Sequence, residues 1–150
     1  MLNAQWIRFR IAREMGDTYP NYLRRLYADP KSRGAQQADR LMRRFIALAR
    51  DRGVEVGLLL FPDGAVPLGA DYPYRFMHEQ VLAICAETHV PCVDLLPRLA
   101  AVPDRFTLWA SPLDSHPSVL ANQIAADALL ETFRARWLEA AAALRATARP

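Results

Sequence analysis

Cysteine is nearly absent from this chain of 150 residues; Cys85 and Cys92 are the only two. Neither belongs to a Cys-x-x-Cys pair or stands at ligand spacing from a histidine, so a metal site has no support and no cofactor is expected. The two are read as buried free thiols, since a free cysteine packs like a small hydrophobe. Long apolar runs are missing too. No stretch reaches the roughly 18 residues that a membrane-spanning helix needs. Arg8, Arg10 and Arg13 near the start are not followed by an apolar segment of the signal-peptide kind. Taken from Met1, the chain therefore reads as cytoplasmic. Internal repeats are also lacking.

What is present is an apolar content of 52%, enough for a real core. Charge is unevenly placed. Residues 1–52 hold 12 basic and 5 acidic side chains, whereas the rest hold 7 basic and 11 acidic. A basic half can mark a nucleic-acid partner. Here the arginines interleave with a helical apolar stripe, and no aromatic-rich strand or nucleic-acid motif accompanies them. They read as a solvated helix face, and nucleic acid is not expected as a partner.

Periodicity divides the chain into a helical lead-in (1–34), an α/β core (35–138) and an Ala/Arg-rich tail (139–150), within one domain spanning 1–150. A short helix over 2–15 carries Leu2, Trp6 and Phe9 on one side, and a second piece covers Tyr22 to Tyr27. The clearest helix, 35–52, has Ala38, Leu41, Met42, Phe45, Leu48 and Ala49 at three- and four-residue steps, with Gly53 as its C-terminal cap. Val54–Phe61 is a continuous apolar run closed by Pro62-Asp63-Gly64, which predicts a strand buried on both faces. A helix over 74–88 and a second strand over Val90–Leu96 follow. Helix, strand, helix, strand, loop, helix is the rhythm of a parallel α/β sheet. The last helix should start near Pro117, bury Leu120, Ile124, Ala128, Leu129, Phe133 and Trp137, and fray after Leu138.

The chemistry concentrates in Asp114-Ser115-His116-Pro117. An acid two residues before a histidine can orient the imidazole and fix its tautomer, leaving the other ring nitrogen to act as a base near neutral pH. The plainer alternative is that Asp114 caps the last helix and His116 is a hydrogen-bonded loop residue. His78 and His89 lack a second ligand and read as structural.

Several blocks together, over roughly residues 35–135, resemble the SGNH (GDSL-type) hydrolase family. They are the strand Val54–Phe61 with Pro62, the Val-Asp-Leu ending of the second strand, Trp109-Ala110-Ser111-Pro112, and Asp114-Ser115-His116-Pro117 before a helix with Ile124-Ala125. The resemblance implies a three-layer αβα, flavodoxin-like fold with a parallel sheet, of which this chain is the C-terminal part, incomplete at its N-terminus. It implies His116 as general base and Asp114 as its orienting acid in a Ser-His-Asp ester hydrolase or acyl-transfer enzyme. Phe61, Pro62, Asp63 and Trp109 would contact the substrate, an acyl-ester small molecule or an acylated glycan. The family's Gly-Asp-Ser nucleophile and its Gly-x-Asn-Asp block are absent. Gly16-Asp17-Thr18 is the nearest local match, Ser118 stands where the family commonly has asparagine, and Asn122 where a second histidine is often found. The expectation is a chain inactive alone, open to self-association through an exposed strand edge. The alternatives are a non-catalytic remnant or interaction module of the same fold, and a basic helical nucleic-acid-binding module.

Overall fold

A computed structural model of the protein describes residues 18–147; the expected 2–15 helix lies outside them. The fold is mixed helix and sheet, with two sheets of two strands each. The chain forms two compact units. One holds the described residues up to Val56 together with Pro73–Val90. The other holds Gly57–Tyr72 together with the described residues from Pro91 onward.

The first unit contains α1 (Tyr19–Tyr27), α2 (Arg33–Arg50) and α3 (Arg75–Thr88). Ser32 fastens α1 to α2. Its hydroxyl accepts the Ala35 N–H (3.2 Å), capping α2, and donates to the Leu26 carbonyl (2.6 Å). The side-chain amide of Gln80 on α3 donates to the Tyr27 carbonyl (2.7 Å). Arg43 bridges Asp39 on its own helix (2.9 Å) and Glu87 on α3 (2.6 Å).

The apolar face expected for α2 is only partly the buried one. Ile46 is 1% exposed, whereas Leu41, Phe45 and Leu48 are each about half exposed. The apolar residues cover a wider arc than the neighbouring helices occupy, and the packed line runs through Ala35, Asp39, Arg43 and Ile46. Gly53 does end the α2 turn, at φ 68°, with the Val54 N–H donating to the Ala49 carbonyl (2.9 Å). His89 ends α3 in the same left-handed way, at φ 53°.

The second unit opens on β1 (Leu58–Leu60), which pairs in parallel with β2 (Cys92–Asp94) in the register Leu58↔Cys92, Leu60↔Asp94. The parallel pairing matches the sequence reading, but the strands are three residues each, shorter than Val54–Phe61 and Val90–Leu96. Val54 is exposed. At the far end of β2 the Asp94 carboxylate accepts the Leu96 N–H (2.9 Å), and Pro97 helps turn the chain directly into α4 (Leu96–Ala100).

A 3₁₀ turn (Arg105–Leu108), capped by Asp104, leads to β3 (Trp109–Ser111), β4 (Asp114–Pro117) and α5 (Val119–Thr147). The unit's core is Leu95, Leu96 and Leu99 with Leu108, Ala121, Ala125, Ala128 and Phe133, all buried. The stripe that α5 buries is thus largely alanine. Leu120 and Trp137, expected inside, are 43% and 49% exposed, because small side chains let the helix backbone approach its neighbours more closely than large ones would. The helix also continues past Leu138 to Thr147. Gly57, just before β1, is required by packing: a Cβ there would lie 2.5 Å from the Phe133 ring.

Neither cysteine is a free thiol. Both Cys85 and Cys92 are disulfide-bonded, which corrects the reading of two free thiols. Their spacing in the sequence carries no pairing signal.

Candidate active site

The Asp114–His116 segment lies on a strand. β3 and β4 form an antiparallel hairpin turned at Pro112-Leu113, with Leu113 fully in solvent. Ser111 pairs with Asp114 and Trp109 with Pro117, so Ser115 and His116 together face the single residue Ala110. That is a β-bulge, a device that bends a strand and re-aims its side chains. The sequence reading had a loop here, since Ser, Pro and Asp are poor strand formers and nothing at Pro112-Leu113 marks a tight hairpin turn.

Within the hairpin, Asp114 Oδ1 accepts the backbone N–H of His116 (3.0 Å) and is also bonded to His116 Nδ1. A carboxylate can only accept, so Nδ1 carries the proton and Nε2 is the nitrogen left for a substrate or nucleophile. The Asp114 carboxyl is held below its ordinary value, first by the His116 backbone N–H and then by the imidazole. The pair is open to water, the imidazole side chain being 86% exposed. Asp114 does not cap the last helix. Ser118 does: its hydroxyl accepts the Ala121 N–H (3.2 Å) and donates to the Thr107 carbonyl (2.8 Å).

His116 lines a cleft of about 300 Å³ with Phe61, Pro62 and Asp63, the residues that follow β1. Phe61, Pro62 and Asp63, at the carboxyl end of this strand, thus share one cleft with His116, and Asp114 is not among its lining residues. Trp109 is not among the lining residues. Its indole N–H donates to the Gly64 carbonyl (2.9 Å), with Phe106 edge-on at 4.9 Å and the Arg105 guanidinium over the rings of both. On the other side of the loop the Asp63 N–H donates to the Tyr72 hydroxyl (2.8 Å). Tyr72 is buried, and burial pushes its phenol pKa up. The Asp63 carboxylate itself accepts the Ala65 N–H (2.9 Å). The loop Pro62-Asp63-Gly64 is thus held at two points, by Tyr72 at Asp63 and by Trp109 at Gly64.

Tyr72 and Ser118 were not singled out for these roles. Ser118 could have been found, because a serine directly before an apolar-periodic helix is a capping signal. Tyr72 gives no such signal.

Among the described residues, three hydroxyls near the motif or at the serine position have other roles or placements. Both hydrogen-bonding roles of Ser118 are taken by its cap and by Thr107. Ser115 lines the cleft beside His116, within the bulge of β4. Thr18, the residue at the serine position of Gly16-Asp17-Thr18, caps α1 by accepting the Asn21 N–H (3.4 Å), and Gly16 and Asp17 lie outside the described residues. No group of histidine, cysteine and acidic side chains among the described residues could hold a metal ion, and no helix among them is long and apolar enough to cross a membrane. No family model matches the chain, and no curated protein or solved structure matches it.

Proposed function

We propose that this chain carries the base and the orienting acid of an SGNH-type ester hydrolase or acyl-transfer site. The observation that carries the reading is Asp114 bonded to Nδ1 of an imidazole that lines the cleft at the end of β1. His116 Nε2 takes the proton of an attacking serine hydroxyl as that oxygen adds to the ester carbonyl. It then returns the proton to the departing alcohol, leaving an acyl-enzyme that water cleaves by the same route. Asp114 keeps the ring in the required tautomer and stabilises the imidazolium.

In this reading β1 and β2 are two strands of a larger parallel sheet in a three-layer αβα fold. The serine comes from a further segment that pairs with the edge of β1 on which no described strand lies. The absence of a serine opposite His116 among the described residues favours one second reading, a non-catalytic interaction module of the same fold.

The two separate in one assay. Residues 1–150 alone should cleave aryl esters no faster than a surface histidine does. A polypeptide joining them to a strand that ends in Gly-Asp-Ser should gain turnover, and His116→Ala should lower it roughly 10²–10⁴-fold. Turnover by the joined polypeptide that survives His116→Ala would overturn the reading. Robust His116-dependent turnover by residues 1–150 alone would place the nucleophile within the chain, with Ser115 the first to mutate.

A further inference from the structure

Away from its packed line, α2 presents an apolar stripe to solvent. Leu41, Phe45 and Leu48 stand at four- and three-residue steps, so they follow one another along the helix. They are 53%, 57% and 48% exposed, and each keeps apolar surface for a partner to cover. A single exposed leucine needs no explanation, but three large side chains in one line form a patch.

A rail of arginines runs along one side of the stripe. Arg33, Arg40 and Arg44, at seven- and four-residue steps, are exposed and make no hydrogen bond or ion pair among the described residues. Two other cations of α2 are engaged with α3, Arg43 with Glu87 and Arg50 with the Thr88 carbonyl. Asp39 is the only acidic residue of α2, and it is bonded to Arg43 on the packed side. The rail is therefore uncompensated. On the other side of the stripe, Ala38 and Met42 line a groove of about 370 Å³ between α2 and α3, with Val81 and Ala83 opposite. The same groove holds Asp39 and Glu87, two carboxylates against the one guanidinium of Arg43.

We infer that this face docks an amphipathic helix of a partner protein, one that carries acidic residues along one flank of its apolar side. The apolar side covers Leu41, Phe45 and Leu48 and enters the groove over Ala38 and Met42. The acidic flank meets the arginine rail. The rail extends over residues 33–44, about 16 Å of helix, which asks for three turns of acidic flank. An anionic membrane would satisfy the rail, but a plane does not enter the groove, and Asp39 and Glu87 would meet it with like charge. Nucleic acid would leave the apolar stripe wet. The inference is independent of the ester chemistry proposed for His116.

Three synthetic peptides of about 18 residues test it by fluorescence anisotropy against the full chain. The first is an amphipathic helix with leucines on one side and glutamates along one flank of them. The second has lysine for each glutamate, and the third is the first with its order scrambled. The glutamate peptide should bind roughly tenfold more tightly than the lysine peptide. High salt should narrow the gap, and Arg40→Glu with Arg44→Glu should reverse the preference. Leu41→Gln with Phe45→Gln should weaken the glutamate peptide at least about tenfold, to the level of the scrambled one. Leu113→Ser, at the solvent-exposed hairpin tip, should leave its affinity unchanged. All four substituted α2 side chains are exposed, so these variants should keep the wild-type melting temperature, measured alongside.

Equal affinity for the glutamate and lysine peptides would overturn the inference. A preference that the arginine reversal leaves unchanged, or binding that survives Leu41→Gln with Phe45→Gln, would do the same. Two competing occupants would also overturn it. Binding to phosphatidylserine vesicles that Phe45→Gln abolishes, with no peptide bound, would make the face a membrane surface. Self-association suppressed by Leu41→Gln with Phe45→Gln, but not by Leu59→Pro on β1, would make it a contact between copies of this chain.

Discussion

Asp114 holds two bonds from one neighbour, and they have separable consequences. The larger influence on its carboxyl is the backbone N–H of His116, which survives any substitution of that side chain. His116→Ala should therefore leave the Asp114 carboxyl below its ordinary value, only less so than in the wild type. Carbon-detected NMR titration reads this directly, and a return to the ordinary carboxylate value in the variant would contradict it. The sign of the pH dependence follows. A carboxyl held low in the folded chain contributes stability above its unfolded value and loses it as the pH falls through the lowered one. The Asp114–His116 bond should thus persist into the range where an unperturbed aspartate is already protonated. At this scale the sequence was informative. Residues two apart share a face of a strand as readily as they share a loop, so the pairing of acid and imidazole could be read without knowing the backbone beneath it. The partners of Asp63 could not be, because Tyr72 meets it through a backbone N–H that no side-chain pattern marks.

Elements were legible where one strong periodicity spoke for one neighbour. α3 begins one residue from its expected start, and β1 and β2 pair in parallel as the apolar runs indicated. The reading failed where the apolar arc of a helix was wider than the line along which it packs. On α2 Leu41 and Phe45 carry the regular apolar steps, yet Ile46 is the one that packs. On α5 the alanines pack and Leu120 does not, since closeness of approach rather than hydrophobic bulk decides the contact. Gly57 expresses the same rule. Its missing side chain admits the Phe133 ring, so Gly57→Ala should destabilise the protein by roughly 1–3 kcal/mol through overpacking. Shortening the ring with Phe133→Leu in the Gly57→Ala background should recover part of that loss, because the two changes share one space. Denaturant unfolding of the two single variants and the double variant tests this, and strict additivity would show that the contact is not what requires glycine.

For the whole molecule, the sheet edge matters most. The Leu58 N–H and the Leu60 carbonyl are bonded toward β2, so the peptide groups of Leu59 point to the opposite side of β1, where no strand among the described residues pairs. Unpaired strand groups are templates for association. The chain should self-associate as its concentration rises, and Leu59→Pro should suppress this, since it removes an N–H that the β1–β2 ladder does not use. Sedimentation velocity over a concentration series decides the matter; a wild-type monomer throughout would mean that the edge is covered. The expected three-layer arrangement with one parallel sheet goes beyond the two two-stranded sheets of the described residues, because strand direction follows from the apolar runs while the number of strands in a sheet does not. The disulfide bonding of both cysteines was equally hidden, being a consequence of folding rather than of local pattern.

The indole N–H of Trp109, bonded to the carbonyl of the cleft residue Gly64, gives the protein a built-in optical sensor. Only two other tryptophans are present, and Trp137 lies against the ring of Phe133 well along α5. With Trp6 and Trp137 replaced by phenylalanine, a single fluorophore would remain, hydrogen-bonded to the loop that borders the cleft. Any occupant that shifts Gly64 would change the environment of that indole, so the state of the cleft becomes readable by eye of a spectrometer before a substrate is known.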